Sequence, residues 1–77
     1  MNILLIEDNE DISDGLKYSL EKEKYHVMVC ASIEDTINYL EENNSIDFAV
    51  IDVSLPDGNG FDLYQKYIKG KNIPSIF

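Results

Sequence analysis

The chain has 77 residues, 44% of them hydrophobic and 27% charged, ordinary composition for one small globular domain, which excludes disorder and collagen-like repeats. Acids outnumber bases 15 to 6, for a net charge of -9, so neither nucleic acid nor an anionic membrane is a direct partner, because holding phosphates needs basic patches. Every base is a lysine and Cys30 is the single cysteine, which removes arginine forks, intrachain disulfides and cysteine-based zinc sites and suits a cytoplasmic setting.

Met1-Asn2 leads straight into Ile3-Leu4-Leu5-Ile6, without the positive region or apolar length of a signal peptide. This short continuous apolar run, followed at once by Glu7-Asp8, predicts a buried parallel strand that ends in carboxylates. From Asn9 to about Lys22, Ile12, Leu16 and Leu20 recur at helical spacing, with Asn9 as cap and Glu10 and Asp11 at the positive end of the helix dipole. Tyr25 to Cys30 is rich in strand-forming types, and Ser32 to about Asn43 carries a helical stripe of Ile33, Ile37 and Leu40. Ser32 and Asp35 suggest a capping box. Phe48-Ala49-Val50-Ile51 is a third strand, ending in Asp52. The segment Val53 to Gly60 holds Pro56, Gly58 and Gly60 and predicts a sharp turn. Phe61, Tyr64 and Ile68 mark a helix from Gly60 to about Lys69, with Gly70 placed to stop it, and Ile73 to Phe77 opens a fourth strand.

Strands alternating with helices imply a parallel sheet with right-handed crossovers, an α/β domain with helices on both faces. In the flavodoxin-like order 2-1-3-4-5 the first and third strands are neighbours, and ligands bind beyond their carboxyl ends. Glu7, Asp8 and Asp52 are then expected to share one cleft. Such clustered carboxylates either retain a proton or hold a divalent cation, and magnesium suits oxygen donors of this kind. The apolar end at Ile76-Phe77 leads us to expect a fragment cut inside the domain, after the start of the fourth strand.

These residues resemble the receiver domains of bacterial two-component response regulators. Residues 3–10 are similar to the family's first strand and acidic pair, Asp52 to Leu63 to its phosphoacceptor strand and loop, and residues 73–77 to the opening of its fourth strand. The resemblance covers the chain as one partial receiver domain, 1–77. It implies that Asp52 accepts a phosphoryl group from a sensor histidine kinase. It implies magnesium held by Asp8, by Glu7 largely through water, by Asp52 and by the Ser54 backbone carbonyl. It also implies transcription regulation in the full-length parent and no independent enzyme activity. Receiver domains further carry a Ser or Thr ending the fourth strand and a Lys ending the fifth. The sequence reaches neither, and none of its lysines takes the latter's place, so phosphorylation of the chain itself is expected to be impaired.

Two other functional classes are compatible with parts of the pattern. A magnesium-dependent phosphohydrolase with an aspartyl nucleophile would want a second aspartate two residues after Asp52, where Ser54 stands. A protein whose observable property is assembly fits an uncovered fourth strand, and a homodimer through that strand is expected. His26 reads as a packing or edge position, Cys30 as a small buried hydrophobe, and the five tyrosines as packing and surface.

Overall fold

Ile3, Leu4, Leu5 and Ile6 are all buried, and a strand covered on both faces belongs in the middle of a sheet. The computed structural model, which describes residues 1–43 and 45–77, places it there. Strand β1 (Asn2–Ile6) pairs in parallel with β2 (His26–Cys30) on one side and with β3 (Phe48–Ile51) on the other. The short β6 (Ser75–Ile76) joins the far side of β3, giving the order β2-β1-β3-β6. This is the strand order expected from the sequence. His26 is exposed on the edge strand, and Cys30 is buried.

Alternation along the strands divides the core. Leu4, Ile6, Ala49 and Ile51 face helix α2 (Ile33–Glu42) and the segment after Gly60, through Leu40, Leu63, Ile68 and Ile73. Ile3, Leu5 and Val27 face the opposite way, toward helix α1 (Glu10–Lys22) and its Leu20. Full burial of each large aliphatic side chain contributes about 1.5–3 kcal/mol.

Three details differ from the reading of the sequence. In α1 the side chain that sinks into the structure is Ser13, while Ile12 and Leu16 remain 49% and 41% exposed. Of this stripe only Leu20 packs against the buried face of the sheet, with Phe48 and Val50 half-buried on the same side. The third helix is α-helical only over α3 (Gly60–Leu63), widens into a π-helical turn (Tyr64–Ile68) and tightens into a 3-10 turn (Lys69–Lys71). Gly70 lies inside that last turn. The left-handed residue that stops the segment is Asn72, at φ 57°, a conformation asparagine tolerates better than most residues. Finally, Ile73 is buried in the core, whereas Ile76 and Phe77 are exposed, with the Phe77 ring against Phe61 (centroids 4.4 Å apart) and Tyr64 (5.6 Å).

Candidate functional site

The ends of β1 and β3 are locked to their neighbours before any side chain is considered. The Glu7 amide donates to the Cys30 carbonyl (3.0 Å), and the Asp52 amide donates to the Ile6 carbonyl (2.9 Å). Both acidic segments therefore leave the sheet at the same level. Glu7, Asp8 and Asp52 each offer a carboxylate oxygen, and these atoms lie within 4.8 Å of one another. Glu7 and Asp52 are half-buried, and Asp8 is exposed.

The turn out of β1 is held by its own polar groups. Glu7 Oε2 accepts the Asn9 amide (3.2 Å), and Asn9 Oδ1 accepts the amides of Asp11 (3.0 Å) and Ile12 (3.2 Å). Asn9 thus caps α1 as its residue type predicts, a role whose loss costs about 1 kcal/mol. Burial pushes the Glu7 carboxyl above the usual range, the Asn9 amide draws it down, and neighbouring Asp52 and Asp8 push it up again. Burial and two neighbouring acids thus both disfavour the charged form of Glu7. Three hard oxygen donors in a partly buried, like-charged group would fit a magnesium ion, whose charge would relieve their repulsion. Beside the cluster an open depression of about 470 Å³, lined in part by Glu10, Asp14, Lys17 and Asp35, extends the acidic surface toward β2.

Beyond Asp52 the loop is a small hairpin. Strands β4 (Ser54–Leu55) and β5 (Gly58–Asn59) pair antiparallel, Ser54 opposite Asn59 and Leu55 opposite Gly58. The Ser54 amide donates to Asp52 Oδ1 (3.3 Å), and the Gly60 amide donates to the Val53 carbonyl (2.7 Å). Ser54 itself is exposed at the hairpin base. Asn59 Oδ1 accepts the Phe61 amide (2.7 Å) and starts α3.

The hairpin tip reaches across to α2. Asp57 Oδ1 accepts the Ile33 amide (2.8 Å), and Asp57 Oδ2 accepts the Glu34 amide (3.0 Å). These two bonds, in that order, hold the Asp57 carboxyl below its ordinary value of 3.8. A depressed carboxyl lends stability above its unfolded-state value and loses it as pH falls through its folded one, so this contact is intact at neutral pH and is given up only in acid. Ser32 caps the same helix through the Asp35 amide (3.1 Å), as the capping-box spacing suggests. Asp57 is the contributor that the spacing does not reveal. An acid directly after a turn proline was the only available signal, and the helix it would meet lies more than twenty residues away in sequence.

Comparison with known proteins adds context. The profile of the response regulator receiver domain family matches residues 3–77. The chain is 32% identical to the transcriptional regulatory protein YrkP of Bacillus subtilis over 75 residues, which is 97% of this chain and 32% of that protein. It is also 32% identical to the response regulator SaeR of Staphylococcus aureus over 77 residues, 99% of this chain and 33% of that one. The chain therefore spans about a third of the length of these curated relatives. Among solved structures, the non-phosphorylated HemR receiver domain of Leptospira biflexa superposes with a TM-score of 0.84 at 41% identity, covering 96% of this chain and 60% of that one. A two-component response regulator of Clostridium difficile gives 0.90 at 26% identity, covering 97% and 61%.

Proposed function

The chain belongs to the response regulator receiver domain family, and from that premise we propose that it is the phosphoacceptor part of a two-component system, with Asp52 as the acceptor. The observation that carries this reading is the meeting of Glu7, Asp8 and Asp52 at the carboxyl ends of two adjacent parallel strands, where open α/β sheets bind their ligands. An Asp52 carboxylate oxygen forms the new P–O bond while the P–N bond of a kinase phosphohistidine breaks and the nitrogen leaves. Asp8, Glu7, Asp52 and the Ser54 carbonyl would hold magnesium, which when bound neutralises the cluster and the charge of the transferring group. The Asp52–Ser54 hydrogen bond keeps the acceptor side chain from swinging toward solvent. In this reading the chain is a signalling module of the cytoplasm, partnered by a sensor histidine kinase, and it serves transcription regulation in a longer protein, as the names of its relatives suggest.

Magnesium titration tests the site directly. Backbone amide signals of residues 7–8 and 52–58 should shift together and saturate. Shifts spread instead over the acidic helix faces would show that the cluster is no site.

Self-association is part of the same proposal. Half-buried Phe48 and Val50 and the exposed Ile76, which pairs with Val50, lie along β3 and β6 and leave apolar surface at the outer edge of the sheet. A second copy is the partner that answers both features, because antiparallel pairing of two β6 edges about a two-fold axis brings these surfaces together. Repulsion between two chains of charge -9 opposes it and is screened by salt. Sedimentation over a concentration series should show an association that tightens with salt, and a monomer at every concentration would refute it.

A further inference from the structure

We propose that Asp57 is a positioning residue for the metal site: its carboxylate ties the hairpin after Asp52 to the N-terminus of α2 and so fixes Ser54 beside Asp52. The inference rests on the magnesium reading above and adds a residue that has no place among the ligands. The first amides of a helix have no partner inside it, and water ordinarily serves them. Here a carboxylate 24 residues from Ile33 and 23 from Glu34 takes both, although Ser32 already caps the same helix.

The gain lies on the hairpin side. Three features hold the tip against α2. Asp57 supplies the two bonds. Leu55 is buried in the same core cluster that Ile33 packs against. Gly58 sits at φ 153°, so close that a Cβ there would stand 2.7 Å from Ile33 Cδ1. At the other end of the hairpin, Ser54 pairs with Asn59 and its amide bonds Asp52 Oδ1. A continuous set of bonds thus runs from α2 through Asp57 and the hairpin ladder to the acceptor carboxylate. A two-stranded hairpin this short is marginal alone, so the anchor at its tip decides how well its base is held.

Asp57 is exposed, so replacing it leaves no cavity and the variants should fold. The experiment compares the 77-residue chain with Asp57→Ala, Asp57→Asn and Ser32→Ala. Magnesium affinity is read from amide shifts, and amide hydrogen exchange is measured without metal. Asp57→Ala should weaken magnesium roughly tenfold, the low end of what a lost supporting hydrogen bond costs a metal site. It should also speed exchange at Ser54 and Gly60. Asp57→Asn, which keeps one acceptor oxygen, should fall between. Ser32→Ala frays α2 from its other cap, so it should speed exchange in α2 and leave magnesium affinity near that of the parent chain. Equal weakening by Ser32→Ala, or unchanged affinity in Asp57→Ala, would show that Asp57 only caps the helix. Absence of site-localised magnesium binding in the parent chain would defeat the magnesium reading instead. The hairpin anchor is then judged by exchange at Ser54 and Gly60, where equal rates in the parent and Asp57→Ala refute it.

Discussion

Asp52→Ala should reduce phosphoryl labelling of this chain to background. A small phosphodonor with magnesium is expected to give the parent chain a single base-labile acyl phosphate, visible by mass spectrometry of the intact protein. Neighbouring carboxylates should not take over. Glu7 is engaged by the Asn9 amide, and Asp8 lies on the other strand end. The substitution also tests whether Asp52 has a structural role instead. It removes one of three like charges and also the acceptor of the Ser54 amide, so relief of repulsion and loss of one exposed hydrogen bond oppose each other and folding stability should change little. Glu7 should titrate closer to the ordinary carboxylate range, because burial is left as its main upward influence once the contribution of Asp52 is gone. Labelling that survives Asp52→Ala would overturn the assignment.

Gly60→Ala should be the most damaging single methyl group that can be added to the loop. Gly60 is buried at the start of α3. A Cβ there would overlap the Asp52 carbonyl oxygen and come within 2.9 Å of Ile51 Cγ2. The main obstacle is backbone, which cannot rotate aside as a side chain would, so α3 must move outward or the end of β3 must bend. Overpacking of this kind costs about 3 kcal/mol, against a total stability of about 4–12 kcal/mol for a domain of this length. Urea midpoints should therefore fall steeply, with the hydrogen bond from Gly60 to Val53 among the first features lost. Gly70→Ala is the matched control. A Cβ at Gly70 meets nothing within 4 Å, so its effect should be neutral or stabilising by about 0.5 kcal/mol. Equal midpoints for the two variants would show that the loop yields more readily than its packing implies.

The acidic site was legible because its cause is local: an apolar run that must be buried ends abruptly in carboxylates, twice. Strand order followed from alternation of elements and from connection handedness, together with the likeness of residues 3–10 and 52–63 to a known family. The hairpin was not legible, since two pairs of residues, Ser54 with Asn59 and Leu55 with Gly58, leave no alternation to detect. The partial exposure of Ile12 and Leu16 escaped for another reason. Helical spacing gives a stripe but not its angle to the sheet, and only packing placed Ser13 innermost. The stop at Asn72 was missed because glycine is the commoner choice, and the π-helical turn that shifts the end of the segment has no sequence signature. Asp57 lay beyond any local pattern because its partners are in another element.

The central place of β1 has a consequence for how the chain comes together. During synthesis Ile3-Leu4-Leu5-Ile6 is made before its partners, which are Val27 to Cys30 on one side and Phe48 to Ile51 on the other. The Asn2 amide meets the Asp47 carboxylate across 45 residues. The most deeply buried strand thus leaves the ribosome before either strand it pairs with and must wait until Phe48 to Ile51 have followed. Helices α1 and α2 can form meanwhile from neighbouring residues alone, but the sheet they cover cannot. Closure of these long loops, with its entropy to be met before any pairing rewards it, sets the folding rate and the interval during which that apolar run needs protection.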